Sequence, residues 1–236
     1  MPKKKSPPKH NMPKKKSQPI DFSALGPADG ADVPAFKIVN VVSTSRLGTS
    51  VDLKKLALRH AFFEFNPLTF AAATLRLSYP RTTCLLFASG NMVITGAANT
   101  FESRLAARTY CHVLQKCGLR VMFKEFGIQN IVACAYVGFV IKLQDIADAF
   151  SPYCSYDPDL FPGLVFRSIK PKLVFLIFRS GKIVITGAKK TEEIAITFHS
   201  LFKNIIVKYK DTGSASSSEY RTKIIREKME QNNVEY

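Results

Sequence analysis

"LLFASGNMVITGA" spans Leu85 to Ala97 and "LIFRSGKIVITGA" spans Leu176 to Ala188, so one chain carries the same unusual segment twice, 91 residues apart. Each copy reads as two short strands joined at Ser-Gly, where glycine supplies the backbone angles of a tight hairpin. Alternation along the strands sends Leu85, Phe87, Val93 and Thr95 to one side and Leu86, Met92 and Ile94 to the other. Both sides are apolar. Such a sheet is either covered on both faces or meets something other than water on the second.

The repetition extends well beyond the hairpin. With a shift of 91, residues 66–102 and 157–193 are identical at 15 of 37 positions, including Pro67/Pro158, Phe70/Phe161, Arg76/Arg167, Pro80/Pro171 and Phe87/Phe178. Chance would give about two or three at this composition. Near the start of each half the shift is 90, where "NVV" at 40–42 matches "NIV" at 130–132. The body is an internal duplication.

Each half reads with the same plan. A strand (36–44; 121–135) leads to a short helix at "DLKKLALRH" or "LQDIADAF". Three strands follow near 70–77, 82–88 and 91–96, matched by 161–168, 173–179 and 182–187. A longer helix closes each half. In the first, Thr100 with Ser103 is expected to cap the start, and Leu105, Tyr110, Val113 and Leu114 to form an apolar stripe ending at Gly118. In the second, Ile194, Phe198, Leu201 and Phe202 recur at the same spacing. The expected class is α+β: two halves sharing one continuous antiparallel sheet, long helices on one face, the other face bare. A bare apolar face of that size marks an interaction surface.

The divisions expected are a basic tail at 1–30, a first repeat at 31–118, a second at 119–210 and a polar tail at 211–236. Residues 1–20 hold seven Lys and no acid and repeat MPKKKS between prolines, a disordered composition suited to nuclear targeting, loose DNA attraction or mere solubility. Of the net charge of +16, the rest of the chain still carries +9. Positive charge speaks to partners, and nucleic acid leads, with anionic membrane or another polyanion behind it. The uncharged run Phe126 to Ile141 falls short of the roughly 20 apolar residues that span a bilayer. Five Cys without a CxxC pair point to reduced thiols in an intracellular protein, and Cys111, His112 and Cys117 lack the further ligands of a zinc site.

"NPLTFAAATLRL", "PRTTCLLFASGNMVITGA", "ESRLAARTYCHVLQKCG", "IQNIV" and "YDPDLFPGLVFRSIKPKLVFLIFRSGKIVITGAK" closely resemble the TATA-box-binding protein family over about residues 36–207. The resemblance implies a pseudo-twofold saddle, a curved ten-stranded antiparallel sheet with its concave face on the DNA minor groove and helices on the convex back. That family is itself the standing example of minor-groove binding with aromatic wedges. It implies intercalation by Phe70, Phe87, Phe161 and Phe178. It implies base-edge contacts by Asn40, Val42, Leu85, Val93, Thr95, Asn130, Val132, Leu176, Val184 and Thr186. Phosphate contacts fall to Arg76, Arg167, Lys172, Lys182 and Lys189. A minor groove over A·T pairs offers acceptors and few donors, so Val, Leu, Phe and the Asn amides suit it and a carboxylate would not.

The resemblance also implies partners: general transcription factor B at Asp157, Asp159 and Leu160, general transcription factor A at Arg104 and Lys116, and TATA-binding-protein-associated factors, all in the nucleus. The first half departs from the family pattern, with Leu68, Thr69, Asn91 and Ala98 where basic residues are common. A related factor with weakened DNA binding, acting mainly as a protein scaffold, is the alternative this opens. Half-saddles also occur as appended domains in some DNA glycosylases and ribonucleases. The four His show no pairing with an acid or nucleophile, no phosphate-loop motif is present, and the repeats use up the body, so neither an enzyme nor a cofactor is expected.

Overall fold

The computed structural model describes residues 20–21 and 32–212. Its elements in chain order are β1 (Ile20–Asp21), β2 (Phe36–Arg46), α1 (Leu53–Arg59), β3 (Ala72–Leu77), β4 (Thr82–Phe87), β5 (Asn91–Ala97) and α2 (Thr100–Lys116). The second half repeats them as β6 (Lys124–Tyr136), α3 (Leu143–Ala149), β7 (Cys154–Asp157), β8 (Phe161–Lys170), β9 (Val174–Phe178), β10 (Lys182–Ala188) and α4 (Thr191–Asn204). All the strands belong to one curved sheet, in the order β1-β8-β9-β10-β6-β2-β5-β4-β3 with β7 also on β8. The two halves meet at β2 and β6, which run antiparallel with Asn40 opposite Val132 and Val42 opposite Asn130. Both VITGA strands lie in this sheet, β5 on β2 and β10 on β6.

Alternation decides which face each strand buries. In β4 and β5, Cys84, Leu86, Met92 and Ile94 are fully buried, and they pack in one core with Tyr110 and Leu114 of α2. In β9 and β10, Phe175, Ile177, Ile183 and Ile185 do the same with Ile194, Phe198 and Leu201 of α4. The expected stripe of α4 is buried in full. The hairpin glycines are needed twice over: Gly90 and Gly181 take φ of +80° and +87°, and a Cβ there would come within 2.0 Å of Thr49 O and 2.4 Å of Phe139 O.

The long helix of the first half, α2, departs from the reading of its sequence. Its N-cap is Asn99, whose Oδ1 accepts the Glu102 N–H at 2.8 Å, while Ser103 is buried and donates its hydroxyl to Ser43 at 2.7 Å. Leu105 is exposed, and the buried face is Ser103, Ala106, Ala107, Tyr110, Cys111 and Leu114. Small residues let α2 lie close to the sheet, which the apolar-periodicity rule passes over. The strand β7 was also not anticipated. Its first-half counterpart is a single bridge between Glu64 and Thr74, so the halves contribute five and four strands and β1 supplies the tenth.

Within the stretch expected as basic tail, Ile20 and Asp21 pair in parallel with Ser168 and Lys170 of β8. The polar tail likewise begins inside the fold: Asp211 is buried and its N–H donates to Val140 O at 2.9 Å. The rest of both tails lies outside the described residues. Among the described residues no helix is long and apolar enough to cross a membrane.

Candidate nucleic-acid interface

The face of the sheet away from α2 and α4 is built from the outward half of each strand's alternation. Asn40, Val42, Leu85, Val93, Thr95, Asn130, Val132, Leu176, Val184 and Thr186 are all half-buried and all lie on it. Rows run across the strands: Leu85 opposes Val93, which opposes Thr44; Leu176 opposes Val184, which opposes Cys134. The ten candidate base-edge residues therefore form one continuous surface.

At its centre the two Asn are fixed in the same way. Asn40 Oδ1 accepts the Gly96 N–H at 2.8 Å and the Thr95 hydroxyl at 3.2 Å. Asn130 Oδ1 accepts the Gly187 N–H at 2.8 Å, and its carboxamide also lies against the Thr186 hydroxyl, at 3.1 and 3.3 Å. With each Oδ1 held by a glycine N–H, the amide nitrogens carry the remaining donors, one of which Asn130 turns to the Thr186 hydroxyl.

At the two ends stand the Phe pairs. Phe70 and Phe87 meet edge to face with centroids 6.3 Å apart, and Phe161 and Phe178 repeat this at 5.8 Å. Phe70 and Phe161 are 50% and 38% exposed although they are large apolar rings, a cost that an interface would offset. Beneath the second pair lies Gly163, where a Cβ would come within 2.7 Å of Phe161 and 3.0 Å of Phe178. Its first-half counterpart is Ala72.

The candidate phosphate ligands are placed less evenly. Arg167, Lys172, Lys182 and Lys189 are exposed around the second half. Arg76 occupies the matching position of the first half, but its guanidinium is paired with Glu64. Of the candidate partner residues, Asp157 ends β7 and Asp159 and Leu160 lie in the turn that follows, all three exposed, with Leu160 77% exposed. Lys116 is exposed at the end of α2, whereas Arg104 stacks its guanidinium 5.6 Å from the Phe126 ring centroid.

Several residues of this face were not singled out from the sequence. Gln129 and Val39 are the extra residues of two bulges between β2 and β6, and Gln129 Nε2 donates to Thr44 Oγ1 at 2.8 Å. Lys37 shares a rung with Cys134 in the second half of the face. Arg46 pairs with Glu125 at 3.0 Å beside Asn91 and Phe87. The 90-residue shift that relates the two Asn would have brought out Val39 and Gln129.

A duplicated saddle with paired Asn at its centre and paired Phe at its ends is the architecture of a DNA-binding protein class. Residues 35–117 and 125–207 each match the family model described as "Transcription factor TFIID (or TATA-binding protein, TBP)". The chain is 46% identical over 204 residues to the TATA-box-binding protein of Acanthamoeba castellanii, covering 83% of this chain and 79% of that one. It is 48% identical over 163 residues to the TATA-box-binding protein of Saccharomyces cerevisiae, covering 69% and 68%. Among solved structures it is similar to the Methanococcus jannaschii TBP, with a TM-score of 0.67 and 38% identity over 74% of this chain and 99% of that one. The chain belongs to the TATA-binding protein family.

Proposed function

We propose that this chain is a sequence-specific transcription factor that lays its open sheet face in the minor groove of A·T-rich, TATA-like promoter DNA, bends the duplex and nucleates assembly of the initiation complex in the nucleus. The repeats at 31–118 and 119–210 form the reader, and the tails at 1–30 and 211–236 are appendages to it. The observation that carries this reading is the doubled constellation on one uncovered apolar face: the same Asn–Gly hydrogen bond twice at the centre and the same edge-to-face Phe pair twice at the ends.

The chemistry follows from the groove. A·T pairs present only acceptors there, which the outward Asn amides meet, and Val42, Val132, Val93, Val184, Leu85 and Leu176 lie against base edges and sugars, with Thr95 and Thr186 beside the Asn. Phe70 with Phe87, and Phe161 with Phe178, enter the opened base steps at the two ends, the mode for which this family is the established example. Arg167, Lys172, Lys182 and Lys189 fix register on phosphates and carry no sequence information, while Arg76 stands at the matching first-repeat position with its guanidinium on Glu64. Asp157, Asp159 and Leu160 offer general transcription factor B an acidic turn with an apolar tip. Arg104 and Lys116 offer general transcription factor A a basic helix face, and TATA-binding-protein-associated factors share the remaining surface.

The test is a titration of the full chain against a TATA-containing duplex and a scrambled duplex, each carrying end-placed dyes that report bending. Tight, bent binding to the first alone is the expected result. Equal affinity for both with no bend would leave the apolar face to a protein partner and overturn the proposal.

A further inference from the structure

Among the described residues, two side-chain ion pairs sit on the open face at its first-repeat end, one of them bridging from β2 to the start of β6. Arg46 Nη1 lies 3.0 Å from Glu125 Oε2, and the Arg76 guanidinium is joined to the Glu64 carboxylate. The first pair borders a cleft of about 550 Å³ shared with Phe87, Asn91 and Val93, next to one of the wedge rings. Glu125 holds φ at +48°, a left-handed conformation that residues with side chains rarely adopt.

The second repeat keeps the positions and lacks the acids. Arg76 becomes Arg167, but Glu64 becomes Ser155, and the structure supports this equivalence independently of the sequence shift: Glu64 bridges Thr74 as Ser155 pairs with Val165, and Thr74 and Val165 are themselves counterparts. Arg46 and Glu125 become Tyr136 and Ala35. Arg167 has no carboxylate partner among the described residues. Lys37 adds a further cation on the second-repeat side, opposite Cys134, where the first repeat has Gly127 opposite Thr44.

We propose that Glu64 and Glu125 set the DNA affinity of this chain by holding Arg76 and Arg46 as neutral pairs, so that phosphate neutralisation is confined to the second repeat. This rests on the DNA-binding reading above. A cation that arrives already paired brings no net charge to the duplex and releases no net counterion. The pairs are exposed and individually weak, so a phosphate can compete for the arginine. The displaced carboxylate then stands within a few ångströms of that phosphate and opposes it. Either way, the first repeat contributes little to the salt dependence of binding, and the duplex is gripped unequally at its two ends.

The experiment uses the full chain with Glu64→Gln, Glu125→Gln, Arg76→Ala, Arg167→Ala and the double variant Glu64→Gln/Arg76→Ala. Each is titrated over a salt series on the TATA-containing and scrambled duplexes. Each Glu→Gln variant is expected to steepen the slope of log affinity against log salt by about one unit and to bind tighter at low salt. Arg167→Ala should reduce the slope by about one unit, Arg76→Ala, which bares the Glu64 carboxylate, should weaken binding at low salt, and the double variant, which removes both charges of the pair, should keep the parental slope. Unchanged slopes in both Glu variants, or a double variant whose slope falls as far as that of Arg167→Ala, would overturn the inference. The preference between duplexes is read separately: slopes that shift as expected without any such preference would uphold the ion-pair inference and sink the sequence-specific reading.

Discussion

Asn40 and Asn130 make the same hydrogen bond in the two halves of the sheet, each Oδ1 accepting the N–H of the glycine in its own VITGA strand, Gly96 or Gly187, at 2.8 Å. On β2 and β6 they stand two rungs apart, Asn40 opposite Val132 and Asn130 opposite Val42. Because each Oδ1 is occupied by the protein, a ligand is offered the remaining amide N–H donors, both of Asn40 and the one that Asn130 does not spend on Thr186. A groove lined by adenine N3 and thymine O2 is the complementary surface.

Asn40→Asp and Asn130→Asp test this directly. The substitution is isosteric and keeps an oxygen for the glycine N–H, so thermal stability should stay close to the parent's. It replaces the outward donors by a carboxylate oxygen facing acceptors. Specific affinity for a TATA-containing duplex should fall tenfold or more, on the order of the 1–3 kcal/mol of an unsatisfied buried polar group. Parental affinity in both variants, measured by titration, would remove the Asn from the reading surface.

Gly163 predicts a steric asymmetry between the wedges. A methyl there would press on Phe161 at 2.7 Å and Phe178 at 3.0 Å, whereas Ala72 already carries one beneath the wider Phe70–Phe87 pair. Gly163→Ala should lower stability by about 1–3 kcal/mol, as overpacking does. It should also reduce the bend reported by a dye at the second-repeat end of the duplex. Ala72→Gly should leave the bend unchanged. Equal bends in all three proteins would show that the rings need no fixed seat.

Much of this was legible because duplication and period-two patterning are both written in the sequence. The strands β3–β5 and β8–β10 begin and end within about two residues of the expected positions, since hairpin glycines and alternation fix register locally. The cap at Asn99 was missed because Thr100 and Ser103 are also cap formers, and only the fold shows that Ser103 is claimed by Ser43 across the core. The strand β7 was missed because "CSYD" has no apolar alternation of its own and exists by pairing with β8. The ion pairs of Arg46 and Arg76 join residues 79 and 12 positions apart, a relation that strand register creates and spacing does not announce.

The thiols offer a footprint of the face. Cys84, Cys111 and Cys154 are buried, and burial pushes the Cys84 thiol up and that of Cys154 to about 11, with Asp148 adding to the latter. Cys134 is half-buried and lies on the open face between Val184 and Lys37. Since the thiolate is the reacting species, a thiol reagent near neutral pH should label Cys134 before those three, and a TATA-containing duplex should slow that labelling. The sign for stability is opposite to that of a depressed acid: folded Cys154 keeps its proton from 9.0 up to about 11, so its contribution is lost as pH rises through that window. Mass spectrometry of labelled peptides with and without DNA reads the first outcome, and labelling of Cys134 unaffected by bound duplex would place the DNA elsewhere.

Wedges and anchors should separate by salt. Phe87→Ala or Phe178→Ala removes a ring that meets its partner edge to face and is only half-buried, so the fold loses little and the interface loses a stacking surface. Specific affinity should fall by about 1–3 kcal/mol per ring, by analogy with aromatic–base stacking, and the bend should shrink. The salt slope should hardly move, because no counterion-releasing group is lost. Lys182→Ala removes a charge from an exposed strand end and no ring, so it should weaken binding to every duplex alike and lower the slope by about one unit while leaving the bend intact. The mirror substitution is Asn91→Lys, which places a cation at the first-repeat counterpart of Lys182, on the rung opposite Arg46. It should steepen the slope and tighten binding at low salt. Titration over a salt series with a bend assay resolves all of these in one data set. Phe variants that bind and bend DNA as the parent does would mean that the uncovered rings serve a different partner.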